Sequence, residues 1–472
     1  MTDSGKSGTA TEEPTLKRVM GPGLLLLFIV GDILGTGIYA LTGRVAGQVG
    51  GVVWLPFLVA FVVALITAFS YLELVTKYPQ AAGAALYTHK AFGIQFVTFM
   101  VAFAVMCSGI TSASTASRAF ASNFSSAFEL DLKTGVWITV IGLLFMGVVA
   151  AVNFRGVGES VKLNVLLTCV ELSGLLIIIC IGAWALGIGD GDFSRATEFD
   201  TGDRTALGGV IAASTLAFYA MVGFEDSVNM AEECKQPSKI FPKVLLAGLI
   251  TTGIIYMLVS ITSVALVPHA ELIETDTPLL SVVERGAPAF PTDLFAYISM
   301  FAVANSALIN MLMASRLLYG MARQGVIPRV LGKVHPTRRT PYVSIGFTTL
   351  LAFGLIIFVG EVPALGGTTS LLLLCVFTVV NVACLVLRKD PVKHKHFRAP
   401  TVLPVVGALA CAFLATPLTD RPVAEYKVAG VLLAIGLVLW AITHFINKRT
   451  GAMYVHIDPE TLLDEDPVET QK

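Results

Sequence analysis

Apolar residues in this chain fall into long runs separated by short polar segments. Twelve runs have roughly the 20 residues that a helix needs to cross a lipid bilayer. They are residues 21–43, 52–75, 91–117, 134–152, 161–187, 206–230, 243–267, 293–320, 342–360, 364–387, 402–419 and 428–447. The pattern predicts an all-α polytopic membrane protein with 12 transmembrane helices.

The composition supports a membrane protein. Of the 472 residues, 55% are hydrophobic and only 14% are charged, whereas about a quarter of the residues in a soluble domain are charged. The net charge of −1 and the lack of a basic stripe indicate that no nucleic acid is a partner. The first run is too long and too interrupted by glycine for a signal peptide.

The basic residues concentrate in alternate loops, on the side of the membrane that holds both termini. Because lysine and arginine accumulate in cytoplasmic loops, both termini are expected in the cytoplasm of a multi-pass cell-membrane protein. Residues 1–18, rich in Ser, Thr and Gly, are interpreted as a disordered cytoplasmic tail. Residues 19–448 then form the twelve-helix domain, and 449–472 form an acidic cytoplasmic tail.

The first run is interrupted near its middle by Gly35-Thr36-Gly37. Glycine weakens a helix, and a helix that restarted here would direct unpaired N–H groups and a positive dipole end into the membrane interior. Such a terminus binds anions, and secondary transporters hold substrates at broken helices of this kind. The alternative is a close helix–helix contact through small residues.

The sixth run changes from apolar to polar at Gly223, with Glu225 and Asp226 directly after it. Ionisable residues inside a membrane are costly and usually functional. Alternatively, the run ends near Gly223 and the acids lie in the cytoplasm, but residues 206–223 would then span only about 27 Å. Breaks in runs one and six are what two inverted five-helix repeats would produce.

Four segments in this order resemble the amino acid–polyamine–organocation (APC) superfamily of permeases. They are Gly31–Tyr39, Tyr78–Tyr87, Gly223–Pro237 and Ala314–Pro328. The resemblance implies a LeuT-type fold, in which helices 1–5 and 6–10 form a 5+5 inverted repeat with broken helices 1 and 6. Helices 11 and 12 would be accessory. It also implies transport of amino acids or related amines by alternating access.

The resemblance implies a substrate site at the two breaks. The substrate carboxylate would meet the N–H groups of Thr36 and Gly37, and the ammonium would meet carbonyl groups where helices 1 and 6 unwind. Tyr219 would also act as an aromatic cover, and Asn310 has a helix–helix hydrogen bond as its alternative role. The expected substrate-binding residues are Ile33, Gly35, Thr36, Gly37, Tyr219, Val222, Gly223 and Asn310.

Three acidic residues within the runs are candidates for coupling or gating. Asp32 could bind a cation or a proton, and Glu225 could read a cationic substrate or gate the inner path. Part of the family has a lysine in place of Glu171 that substitutes for a sodium ion, and a carboxylate cannot do that. Glu171 could hold a proton or a cation instead. The alternative for each acid is a satisfied hydrogen bond inside the bundle.

Other classes of protein fit the sequence less well. A channel would need charge rings or repeated filter loops, and an enzyme would need a nucleophile–base pair or a metal set inside the spans. The seven histidines lie in loops or at span ends, so neither a metal site nor a cofactor is expected. We therefore expect a permease and not an enzyme. Of the possible modes of transport, we favour proton-coupled uptake. The partners of the permease would be a small-molecule substrate and membrane lipid.

Three points stay open at the level of the sequence. Amino acid exchange is the alternative to proton-coupled uptake, and an amino acid sensor without transport activity is a further one. The buried acids favour a cationic amino acid or amine, with a neutral amino acid as the alternative. The sequence carries no signal for the oligomeric state.

Overall fold

The computed structural model describes residues 21–79, 83–128, 130, 135–234, 236–323, 325–392 and 394–450. The predicted tail 1–18 and nearly all of the predicted tail 449–472 lie outside these residues. Within them the chain is helical, and the strand-like pairing is a single bridge between Gly50 and Phe199. This is the all-α architecture that the hydrophobic pattern predicts.

Sixteen α-helices occur in the described part of the chain. The first seven are α1 (Pro22–Ile33), α2 (Thr36–Val49), α3 (Trp54–Lys77), α4 (Gly83–Phe92), α5 (Gln95–Ala127), α6 (Gly135–Arg155) and α7 (Val157–Ile188). The others are α8 (Ala206–Ala217), α9 (Pro237–Leu266), α10 (His269–Glu274), α11 (Pro278–Gly286), α12 (Thr292–Arg323), α13 (Tyr342–Phe358), α14 (Val362–Leu387), α15 (Val402–Leu414) and α16 (Val423–Thr450).

Ten helical segments among the described residues are long and apolar enough to cross a membrane, with α1 and α2 together forming the first. Runs nine and eleven correspond to shorter apolar helices, α13 with 17 residues and α15 with 13. Helix α15 ends before Pro417, which begins a separate 3-10 turn, because proline lacks the N–H that a continuing helix needs. The count of twelve spans therefore stays a prediction for these two helices.

The broken spans lie at the centre of the bundle. In the most apolar stretch of the first broken span, 83% of the residues are buried inside the protein. The buried share of the corresponding stretch is 17% in α6 and 22% in α16. Helix α1 packs against α7 and α9, α2 packs against α8, and α12 packs along α5. Helices α6 and α16 therefore lie at the periphery of the bundle, where protein covers little of their surface.

Polar contacts hold α14 against α3. The Ser70 hydroxyl donates to Asn381 Oδ1 at 2.6 Å, in the C-terminal part of both helices. Near the C-terminal ends of the same helices, Arg388 forms a two-pronged ion pair with Glu73. The hydrogen bonds that Arg388 donates to the Glu73 carboxylate raise the pKa of Arg388 above its usual value. The paired guanidinium therefore stays charged and fixes these helix ends relative to each other.

Candidate functional site

The first run breaks at Gly35, as the sequence predicts. Helix α1 ends at Ile33, Leu34 is extended, and Gly35 has φ 150° and ψ −151° before α2 begins at Thr36. L-amino acids with a side chain rarely adopt this positive φ. A Cβ on Gly35 would also lie 2.2 Å from the Ser306 hydroxyl. Glycine is therefore required here both for the backbone conformation and for the close approach of α12.

The sixth run breaks at Val222 and Gly223. Helix α8 ends at Ala217 and a 3-10 turn covers Phe218–Met221, after which Val222 is extended and Gly223 has φ 126°. A second 3-10 helix then covers Asp226–Glu233. The chain after the break therefore continues as a 3-10 helix and not as a second α-helical half.

The two breaks contact each other. A Cβ on Gly223 would lie 2.6 Å from the Asp32 carbonyl oxygen, at the end of α1. A Cβ on Gly37 would lie 2.4 Å from Ala220 Cα, in the 3-10 turn after α8. Both spans approach to backbone contact because these positions carry no side chain, so the predicted close contact through small residues and the predicted helix break occur together.

A small cavity lies where the breaks meet, and all eight predicted substrate residues line it. The complete lining is Asp32, Ile33, Leu34, Gly35, Thr36, Gly37, Ser112, Tyr219, Val222, Gly223, Ser306 and Asn310. Its volume of about 10 Å³ has room for roughly one water molecule. A larger ligand such as an amino acid can therefore enter only if neighbouring side chains move.

Leu34, Ser112 and Ser306 are lining residues that the sequence reasoning missed. Ser306 lies one helical turn before Asn310, so the i, i+4 spacing in α12 was the available signal. Ser112 lies in a serine- and threonine-rich part of run three, which does not by itself indicate which hydroxyl faces a cavity. Leu34 has no signal other than its place beside the break.

Hydroxyl groups engage the polar groups around the cavity. The Thr36 N–H, the first of α2, donates to Ser306 Oγ at 3.3 Å. The Tyr219 hydroxyl lies 3.2 Å from Ser112 Oγ. The Asn310 side-chain amide donates to the Ser306 carbonyl at 2.9 Å, so this hydrogen bond runs within α12 and not between helices.

The carbonyl groups at the breaks have partners of their own. The Tyr256 hydroxyl of α9 donates to the Ile33 carbonyl at 2.6 Å. The Val222 N–H donates to the Tyr219 carbonyl at 3.3 Å. A carbonyl oxygen has two lone pairs, so each of these can accept one further hydrogen bond.

The three predicted coupling or gating acids are buried at different places around the breaks. Asp32 lines the cavity, and among the described residues neither of its carboxylate oxygens has a hydrogen-bond partner. Glu171 Oε2 accepts from Asn305 Nδ2 at 3.4 Å, and Asn305 also donates to the Gly31 carbonyl at 3.2 Å. Glu171 Oε1 lies 3.5 Å from where a Gly35 Cβ would be. Glu171 is thus behind the first break and outside the cavity lining.

Glu225 lies beside the second break. Its Oε2 accepts a hydrogen bond from the Gly223 N–H at 2.9 Å. It also lines a second small cavity, together with Asp226 and residues of α3, α4, α5 and α12. Those residues are Tyr71, Ala84, Ala85, Ala102, Val105 and Leu317. Among the described residues no group of three or more His, Cys, Asp or Glu side chains could hold a metal ion.

A family model and individual relatives assign this chain to the same family. The model of the amino acid permease family matches residues 24–441. The branched-chain amino acid permease BcaP of Bacillus subtilis is 26% identical, over 91% of this chain and 93% of its own length. The methylthioribose transporter of the same organism is 25% identical over 94% and 96%.

A plant relative is similar over a shorter part of its length. The vacuolar cationic amino acid transporter 4 of Arabidopsis thaliana is 29% identical, over 77% of this chain and 62% of its own. Together with the family match, these relatives confirm the resemblance that the four sequence motifs carry and indicate a transporter and not an enzyme. The chain therefore belongs to the amino acid permease family.

Proposed function

We propose that this protein carries amino acids across the cell membrane by alternating access, with both termini in the cytoplasm and with twelve spans that include a 5+5 inverted repeat. The observation that carries the proposal is the meeting of two helix breaks around one small polar cavity in the most buried part of the bundle. Broken helices at mid-membrane place both ends of a helix dipole against a substrate, which suits an ion with a carboxylate and an ammonium group.

The carboxylate binds at the beginning of α2. The Thr36 and Gly37 N–H groups lie in the first turn of this 14-residue helix, where the dipole favours an anion. The Thr36 N–H donates to the neutral Ser306 hydroxyl at 3.3 Å. A carboxylate is a stronger acceptor than a hydroxyl because its hydrogen bonds are charge-assisted. The substrate therefore takes the place of Ser306 as the partner of Thr36.

The ammonium group binds on the opposite side of the cavity. The carbonyl groups of Ile33, Tyr219 and Val222 lie at the ends of the broken segments. Those of Ile33 and Tyr219 each accept one hydrogen bond, from the Tyr256 hydroxyl and the Val222 N–H, and a carbonyl oxygen can accept a second. Asp32 lines the same cavity and favours a cationic amino acid or amine over a neutral one. The relatives named above include both branched-chain and cationic amino acid transporters, so both classes belong in the first substrate panel.

A proton couples to transport through Asp32 and Glu171. A buried ionised carboxylate without a partner costs several kcal/mol, and a bound proton or cation removes that cost. Asp32 has no hydrogen-bond partner among the described residues, and it lies where a substrate ammonium would arrive. Glu225 gates the inner path because it lines the second cavity, between the sixth-run break and α4.

Uptake of labelled amino acids into proteoliposomes tests the proposal, with an imposed pH gradient and with or without a sodium gradient or internal amino acid. We expect accumulation driven by the pH gradient alone. Asp32→Asn and Glu171→Gln should uncouple it, whereas Glu284→Gln, which neutralises an exposed acid of α11, should leave it unchanged.

Three other outcomes would change the conclusion. Flux that requires internal amino acid would make the protein an exchanger and remove the proton role of Asp32 and Glu171. Binding without flux of any amino acid would identify a sensor. Flux of amines alone would move the substrate class away from amino acids.

A further inference from the structure

An apolar groove runs along the outer surface of the bundle between α6 and α13. Its lining includes Ala150, Ala151 and Phe154 of α6 and Tyr342, Gly346 and Leu350 of α13, and its volume is about 360 Å³. Helix α6 is the least buried of the ten long spans. The groove is therefore open towards the lipid side of the protein and separate from the cavity at the helix breaks.

One end of this groove carries three exposed arginines. Arg155 is the last residue of α6, and Arg338 and Arg339 lie in the loop just before α13. In the part of the chain that the structure describes, no carboxylate forms an ion pair with any of the three. Their charges are therefore available to an external anion.

The loop that carries Arg338 is attached to the groove itself. The Arg338 guanidinium lies 5.0 Å from the centre of the Phe154 ring, and the Thr340 hydroxyl donates to the Phe154 carbonyl at 3.1 Å. The His335 ring packs edge-on against Phe154 at 5.3 Å and against Tyr342 at 6.2 Å. Positive charge is thus held at the mouth of an apolar groove by contacts with residues of its lining.

We propose that this groove is a binding site for an anionic phospholipid. One acyl chain lies along the apolar lining, and the headgroup phosphate meets the arginines at the basic end. The chemistry of the site matches both parts of that ligand, since guanidinium groups pair with phosphate in a two-pronged geometry and basic pockets between spanning helices bind acidic headgroups. A free phosphate would use only the arginines, and a neutral lipid would use only the groove.

Lipid binding to the purified full-length protein tests this site. The probes are fluorescent phosphatidylglycerol and fluorescent phosphatidylcholine with matched acyl chains. We expect phosphatidylglycerol to bind more tightly. In the triple variant Arg155→Gln, Arg338→Gln, Arg339→Gln, the ratio of the affinities for phosphatidylglycerol and phosphatidylcholine should fall by about fivefold per arginine, or about a hundredfold in all. The charge-matched control, Lys389→Gln, Lys395→Gln, Arg398→Gln, changes exposed residues elsewhere and should retain the preference.

A second pair of variants tests the groove. No heavy atom lies within 4 Å of a Cβ placed on Gly346, so there is space at this position for a side chain to begin. Gly346→Leu should extend into the groove and weaken binding of both lipids. Gly354→Leu is equally open but is not part of the lining, so it should have no effect.

Three outcomes would overturn the proposal. They are equal affinity for the two lipids, an unchanged preference in the triple arginine variant, and displacement of the lipid by millimolar inorganic phosphate alone.

Discussion

The contact between Gly37 and Ala220 offers a direct test of the site at the two breaks. In Gly37→Ala, the new Cβ would lie 2.4 Å from Ala220 Cα and 3.0 Å from Ala220 N. Carbon atoms pack at about 3.5–4.0 Å, and the obstacle is backbone that cannot rotate away. Helix α2 and the turn after α8 must therefore separate by roughly 1 Å or more.

This separation should impair the site far more than the fold. Overpacking costs about 1–3 kcal/mol, and replacing glycine by alanine inside a helix returns about 0.5–1 kcal/mol. The expected net loss of about 0–2.5 kcal/mol leaves the protein folded. A displacement of about 1 Å at a site that needs exact geometry can cost about a hundredfold in activity. We therefore expect kcat/KM for uptake to fall by about two orders of magnitude.

Proteoliposome uptake gives the activity, and thermal unfolding in detergent gives the stability. The matched control is Gly47→Ala in the same helix, whose Cβ would meet only the Ile273 side chain at 3.3 Å and which should retain uptake. Wild-type uptake by Gly37→Ala would refute the reasoning. An equal loss of uptake in both variants would place the effect in the helix as a whole and not in the contact of the two breaks.

Two further predictions concern other buried contacts. Ser306→Ala frees the Thr36 N–H, so substrate affinity should stay unchanged or rise by up to about tenfold. The control is Ser299→Ala in the same helix. A loss of affinity of about tenfold relative to this control would mean that the carboxylate does not replace Ser306. Arg421 is fully buried and donates to Glu425 at 2.5 Å, so Arg421→Met should cost about 3–5 kcal/mol. The double variant Arg421→Met, Glu425→Leu should recover most of that loss in chemical unfolding, and no recovery would contradict the pairing.

The breaks are the part of the site that local sequence predicts well. Gly35 and Gly223 adopt positive φ angles that residues with side chains avoid, so the backbone conformation is encoded where it occurs. The eight predicted substrate residues line one cavity because most of them are neighbours of these two glycines along the chain. Their role in binding substrate stays a prediction. Sequence reasoning missed Leu34, beside the first break, and Ser112 and Ser306, whose helices reach the cavity from elsewhere in the sequence.

The predicted roles of the acids show a limit of sequence reasoning. Asp32, Glu171 and Glu225 all lie inside apolar runs, so the sequence indicates that each is costly and functional or paired. It does not distinguish their surroundings. In the structure Asp32 lines the cavity, Glu171 contacts Asn305 behind the first break, and Glu225 accepts from the Gly223 N–H. These differences depend on which helices pack against each acid.

The sequence by itself determined the membrane class, the positions of the helices and the two breaks, because hydrophobic run length and glycine act through the local chain. Tertiary structure alone decided that Ser306 meets Thr36, 270 residues away, and that Arg338 lies against Phe154 at the groove between α6 and α13. Apolar helices in lipid can associate through many alternative faces, because hydrophobicity does not distinguish protein from acyl chain. Close packing and polar contacts select among those faces, and they depend on residues that are distant in the sequence.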